Sequence, residues 1–391
     1  MVPQLPPEIW CLVFGQLSSE VSQAKRRKLE DRIHRRFIGK FREFDAGSGA
    51  RKALANLGKV SRRFAALAQP ELFRTYEPVN RRLSKTSPPR FGFLETVLAR
   101  PDLAACVREI HLGDVSDDFR PAHHRRLFLQ MAAALGLDPV LLQPVYEHSS
   151  AECLPMLAVL LTPNLELLSV RLQELPDAMD ILERIEATGA AKPLERVRDL
   201  TLQSRDDKLN PFELRRFFPL LALTPKITTL RLVNCNLTWD LDTQPNQEQR
   251  LRRYLPRGLQ TLEIWHSCMQ HESMGILLAH LSSLETFVYR SREYWSSATA
   301  GANARSREVT AKQLMRHLLP SQDTLRDIEM SWDRPYEEVW GEGSAFVTVA
   351  EDDFAEFSCL WDDTGFRGYD WGTVRIDEGE GEPSDAYIYG V

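Results

Sequence analysis

A six-position pattern, apolar-x-x-apolar-x-apolar, recurs seven times between Val107 and Met330, and no other feature restricts the fold as strongly. Its apolar positions are Val107, Ile110 and Leu112; Leu165, Leu168 and Val170; Val197, Leu200 and Leu202; and Ile227, Leu230 and Leu232. It returns at Leu259, Leu262 and Ile264, then Leu284, Phe287 and Tyr289, and last Leu325, Ile328 and Met330. The final three positions of each copy alternate, as in a short strand with one buried face. The middle positions lie 58, 32, 30, 32, 25 and 41 residues apart. Helix-like stretches, Pro211–Leu223, Gln247–Leu255, Met274–Leu281 and Thr310–Leu319, fall between the strands. One such unit cannot bury its own apolar face, whereas stacked units can, so the repeat predicts an α/β solenoid. The first spacing, nearly double the others, leaves room for a degenerate unit.

At 391 residues the chain exceeds what one ordinary core supports, about 250–300 residues. Ahead of the repeats, Pro7 and Glu8 suit the first turn of a helix. Ile9, Val13 and Leu17 share one face of that helix, with Leu5 just before it and Phe14 at its flank. From Ser18 to Lys52 the composition turns basic, with eleven Lys or Arg against five Asp or Glu. This stretch contains Lys25-Arg26-Arg27-Lys28, a compact cluster of the kind import receptors select. Its aromatics, Phe37, Phe41 and Phe44, fall on one helical stripe, which argues for packing over nucleic-acid binding. Asp45 to Gly49 is expected to be a flexible exit. A single helix is expected from Ala53 to Ala68, with Leu57, Val60, Phe64 and Leu67 on one face and Pro70 ending it.

The formal charge of −6 conceals a division. Residues 333–391 hold 3 basic and 16 acidic side chains, a net of −13, which leaves the other 332 residues at +7. The acidic segment is also rich in aromatics, from Trp340 through Trp361 and Trp371 to Tyr389, which argues for folded structure. Phe346–Val349, Thr373–Ile376 and Ala386–Tyr389 read as short strands, so the segment is expected to cap the open end of the solenoid.

Catalytic patterns are absent from the sequence: it contains no GxxxxGK[ST], no GxGxxG after a strand, no GxSxG and no HExxH. His266, Cys268 and His271 are metal-ligand types at close spacing, but no second ligand pair accompanies them, and they read as a polar loop with a buried thiol. The six cysteines form no CxxC pair, which fits a reducing compartment. No apolar run reaches the ~20 residues of a membrane span, and Met1–Leu12 lacks a signal peptide's basic start. A non-catalytic protein of the cytoplasm or nucleus is expected, with no metal, no cofactor, no nucleic acid and no membrane.

Leu5-Pro6-Pro7-Glu8-Ile9, followed by Val13, Phe14 and Leu17, resembles the first helix of an F-box. Leu57-Gly-Lys-Val60-Ser61-Arg62-Arg63-Phe64, with Leu67 and Leu72, is similar to its second half. The departure is the long insertion at 18–52, where the family has a short link; closing a loop of that length costs roughly 2 kcal/mol more. The resemblance covers about 40 residues, and together with the repeats and the acidic segment it leads to an expected α/β protein with three parts. These are a helical F-box at 1–76, an irregular leucine-rich-repeat solenoid or horseshoe at 77–332, and the acidic cap at 333–391. It further implies docking on a Skp-type adaptor, and through it a cullin, by Leu5, Pro6, Ile9, Val13, Phe14, Leu17, Leu57, Val60, Phe64 and Leu72. The solenoid would hold an unknown protein substrate for ubiquitin transfer. The alternative is a scaffold that binds the adaptor without directing ubiquitination.

Overall fold

Seven apolar triplets bury their faces most economically when their strands lie side by side in register. The computed structural model describes residues 46–76, 89–112, 121–138, 153–172, 182–183, 185–186, 194–204, 212–237, 247–292, 309 and 311–333. The first apolar helix with Leu5 to Leu17, the basic cluster Lys25–Lys28 and the three strands expected beyond Asp333 lie outside the described residues.

Within them, β1 (Thr75–Tyr76), β2 (Glu109–Leu112), β3 (Leu167–Leu172) and β4 (Asp199–Ser204) are followed by β5 (Phe212–Glu213), β6 (Thr229–Val233) and β7 (Cys235–Leu237). Then come β8 (Thr261–Trp265), β9 (Cys268–Met269), β10 (Thr286–Arg292) and β11 (Asp327–Asp333). Eight of these strands make a parallel sheet in the order β1-β2-β3-β4-β6-β8-β10-β11, and β5-β7-β9 make a second. Helices alternate with the strands, so the protein is α/β. The chain divides into two compact units, residues 1–168 and 169–391.

The first unit opens on two helices, Ala46–Val60 and Arg62–Phe73, where one was expected. Ser61 separates them: its backbone is extended (φ −159°, ψ 162°) and its hydroxyl accepts from the Phe64 N–H at 3.2 Å, an N-cap that starts the second helix. The chain at Ala46 to Gly49 is already helical, so the expected flexible exit does not form there. Pro70 lies inside the second helix and does not end it; the missing N–H forfeits one rung and the helix continues to Phe73. The next residue, Arg74, leads directly into β1, a strand too short to leave a sequence pattern. Its carbonyl accepts two successive N–H groups, from Arg108 at 2.8 Å and Glu109 at 3.0 Å. The carbonyl of Arg108 receives Glu166 and Leu167 in the same way, at 2.8 and 3.0 Å. β2 and β3 are therefore direct neighbours, and no degenerate unit stands between them. Their long connection includes the helices Pro121–Ala134 and Cys153–Leu160.

The second unit repeats that fork. Arg198 accepts from Thr228 and Thr229, Thr228 from Gln260 and Thr261, Gln260 from Glu285 and Thr286, and Glu285 from Arg326 and Asp327, all within 2.7–3.0 Å. The ladder aligns Leu200, Leu230, Leu262, Phe287 and Ile328, which are the middle positions of five successive triplets. Every apolar position from Val197 to Tyr289 in those triplets is fully buried, while Ile328 on the edge strand is half-buried. Phe218, Leu251, Met274, Leu277 and Leu314, all buried, supply the helical layer.

The stretch Pro211–Leu223 was expected to be one helix. Its start is instead β5, followed by a 3₁₀ turn at Leu214–Phe217 and a helix at Phe218–Leu223. The cause is the second sheet: the Phe212 N–H bonds the Asn234 carbonyl at 3.2 Å, and Phe212 stands in register with Cys235. Two residues in the left-handed region, Asn234 (φ 57°) and His266 (φ 51°), turn β6 into β7 and β8 towards β9.

Thr229 and Leu230 test this alternation. Leu230→Ala should cost about 2–5 kcal/mol by opening a cavity, whereas Thr229→Ala on the opposite face should cost under about 1 kcal/mol. Urea midpoints read at a common slope decide it, and equal losses would contradict the register.

Candidate interaction surfaces

Two groups of side chains, one in each unit, are candidates for an interaction surface. The first is the helix pair Ala46–Val60 and Arg62–Phe73. Leu54 and Ala68 are its buried centre, and Leu57, Phe64, Leu67 and Leu72 pack around them while remaining partly open. The helices meet closely at Gly58, where an added Cβ would lie 3.9 Å from the Ala65 Cα and 4.0 Å from the Ala68 Cβ. Of the residues expected on the adaptor face, Leu57, Phe64 and Leu72 are brought together here. Val60 does not join them: it is 66% exposed at the helix junction, beside the exposed Ser61, Arg62 and Arg63. Leu5, Pro6, Ile9, Val13, Phe14 and Leu17 lie outside the described residues. Among the described residues two members of this core are fully buried, and each large side chain buried further would contribute roughly 1.5–3 kcal/mol.

The second surface is the face of the strands opposite the triplets, and it was not singled out from the sequence. In-register rows place Thr201, Arg231, Glu263, Val288 and Glu329 side by side, with Gln203, Val233, Trp265 and Arg290 in the next row. Arg231 donates to both oxygens of Glu263 at 2.6 Å, a two-point ion pair between neighbouring strands. Arg290 donates its Nε to a Glu329 oxygen at 2.8 Å, and its Nη2 lies 2.6 Å from the same oxygen. The two guanidinium groups also flank the Trp265 ring, at 4.7 Å for Arg290 and 5.8 Å for Arg231. Cation–π attraction thus ties two cross-strand pairs into one patch. Thr286 adds a hydroxyl bond to Asp327 at 3.3 Å. The signal was present at x positions of the triplets, Arg231, Glu263 and Glu329, and just after their last apolar position, at Trp265 and Arg290. Those positions vary from copy to copy, and only the register brings Arg beside Glu.

Two strands of the second sheet, β7 and β9, follow their triplets at matching spacing. Cys235 and Leu237 stand three and five residues after Leu232, as Ser267 and Met269 do after Ile264. Ser267 is buried and links the two copies: its oxygen accepts from the Cys235 N–H at 3.0 Å, and its hydroxyl donates to the Trp265 carbonyl at 2.9 Å. Burial pushes the Cys235 thiol well above its ordinary range, so it is a packing residue and not a nucleophile. His266, with its N–H on the Arg290 carbonyl, occupies the turn between β8 and β9. Among the described residues no three His, Cys, Asp or Glu side chains are grouped to hold a metal ion, and no helix is long and apolar enough to cross a membrane.

No protein-family model matches the chain, and no curated protein matches it in sequence.

A double-mutant cycle on Arg231→Ala and Glu263→Ala checks the polar face. The pair is mostly shielded, so a coupling of about 1–3 kcal/mol is expected in urea unfolding, above the ~0.2–1 kcal/mol of exposed pairs. Additive losses would show that the two side chains do not act together.

Proposed function

We propose that this chain is the substrate-recognition subunit of an SCF-type ubiquitin ligase. The helix pair carrying Leu57, Phe64 and Leu72 belongs to an adaptor-binding F-box, and the parallel repeats form an irregular leucine-rich solenoid that holds substrate. The observation that carries the reading is the half-open cluster around Leu54 and Ala68, in the segment that resembles the second half of an F-box. A small core of this kind gains stability when a partner covers it. The in-register triplets support the solenoid, because equal units bonded through equivalent carbonyls extend in one direction.

The chain performs no bond-making step in this reading. Its mechanism is proximity: the F-box helices are tethered to the adaptor and cullin, and the repeats hold a protein so that a substrate lysine meets the charged conjugating enzyme at high effective concentration. The cluster of Arg231, Glu263, Arg290 and Glu329 suits the second task, while the Trp265 ring beside it is buried. Arginine side chains are prominent in the energetics of protein interfaces, and paired carboxylates orient them.

Co-expression with a Skp-type adaptor tests the proposal. A stable one-to-one complex is expected, and the double variant Leu5→Ala/Pro6→Ala should abolish it while leaving the repeats folded. Val60→Asp, which places a carboxylate at an exposed apolar position, should weaken co-purification without lowering stability. Failure of the unaltered chain to bind the adaptor would overturn the assignment.

A further inference from the structure

Two histidines and a bare glycine lie together where the last described helices of the second unit pack. Helix His271–Leu278 follows β9, and helix Ala311–Leu318 precedes β11. Gly275 leaves a flat patch on the first helix, and the His317 ring of the second lies directly on it. A Cβ at residue 275 would stand 2.5 Å from the His317 Cε1, 2.9 Å from Nδ1 and 3.0 Å from Nε2. His271, one turn before Gly275, brings its ring centroid to 5.0 Å from that of His317, with the planes tilted by 45°. The Nε2 of His317 is shielded from solvent and has no hydrogen-bond partner.

This packing tolerates one protonation state. A neutral imidazole can leave one ring nitrogen without a proton, whereas the imidazolium carries two N–H donors that both need acceptors. Seated on Gly275, the charged ring would lose water at Nε2 without replacement. Two further charges face it: Arg316 on its own helix, and His271 on the other when that ring is protonated. Glu272, the remaining titratable group on the facing helix, has its carboxylate 3.9 Å from the His271 Nδ1. The 3₁₀ turn Leu319–Ser321 contributes no titratable side chain.

We propose that His271 and His317 form a pH-sensitive clamp that holds helix Ala311–Leu318 on helix His271–Leu278 at neutral pH and releases it on acidification. Burial first, then His271 and Arg316, hold the His317 imidazole below its ordinary 6.5. The sign follows. Because the folded value lies below the unfolded one, the clamp is at full strength above about pH 6.5 and is lost as pH falls through the folded value. Release would uncover Leu314 and Leu318, both buried in the docked state. It would also loosen the route into β11, where the Ser321 hydroxyl donates to the Leu281 carbonyl and the Thr324 hydroxyl to the Leu284 carbonyl at 2.8 Å. The terminal strand and the Arg290–Glu329 pair would then respond to pH through the helix that leads into them.

Hydrogen exchange on the full chain at about pH 7.5 and about pH 5.5, corrected for intrinsic rates, reads the clamp. Peptides covering 311–333 should lose protection at the lower pH while those covering 227–237 keep theirs, and His317→Phe should remove the difference. A uniform response, or one that persists in His317→Phe, would overturn the proposal. Should that variant fail to fold, NMR titration decides. The His317 midpoint should lie below 6.5 and rise in His271→Gln; a midpoint at or above 6.5, or one unmoved by the substitution, refutes the clamp.

Discussion

At six places among the described residues a carbonyl just ahead of a strand accepts two successive N–H groups from the next repeat, and the order of those strands follows from it. Arg74 and Arg108 do this in the first unit; Arg198, Thr228, Gln260 and Glu285 do it in the second. A ladder can slip, and because side chains alternate, a slip of one residue would turn every buried leucine towards solvent. The forked bond fixes the register before the strand begins. Burial of Leu230 beside Leu262, and of Leu262 beside Phe287, then stabilises the same alignment, so backbone geometry and apolar packing agree.

That agreement explains which parts were legible in the sequence. The triplets could be read because burial forces the same residue class into the same place: all the middle positions of β4, β6, β8, β10 and β11 proved to be ladder partners. Elements whose cause lies outside themselves could not be read. β5 exists because Asn234 offers a carbonyl to Phe212, a partner twenty-two residues away. The break at Ser61 depends on one hydroxyl capping the next helix, inside an apolar period that runs through it without interruption. Pro70 reads as a stop, yet the helix tolerates one lost rung because Leu67 and Leu72 on either side of it remain packed on Leu54 and Ala68.

The candidate surfaces divide in the same way. Leu57 and Phe64 could be picked out by helical spacing, and they do come together, with Leu72 beside them. Val60 satisfies the same spacing but sits next to the capping residue, where the helix axis changes, and so it projects outward. The Arg231–Glu263 and Arg290–Glu329 pairs join residues 32 and 39 apart. Neither spacing marks a pair until the strands are aligned. A polar face of this kind is a product of the repeat: once one row must be leucine, the neighbouring row is free to carry charge.

The histidine contact shows that the same freedom extends to the helical layer, where fewer positions are fixed. Packing two short helices closely needs one small residue, and Gly275 provides it, which leaves space for a flat ring and not for a branched chain. A phenyl ring would fill that space without any response to acid. An imidazole fills it only while neutral, so the choice of His317 converts an ordinary helix contact into one whose strength depends on proton concentration. Because the helix it anchors leads into β11, the consequence is transmitted along the backbone to the edge of the sheet. There Glu329 extends the polar row that includes Arg231, and at 40% its side chain is more exposed than those of Arg231, Glu263 and Arg290, so this part of the row is the one most open to adjustment.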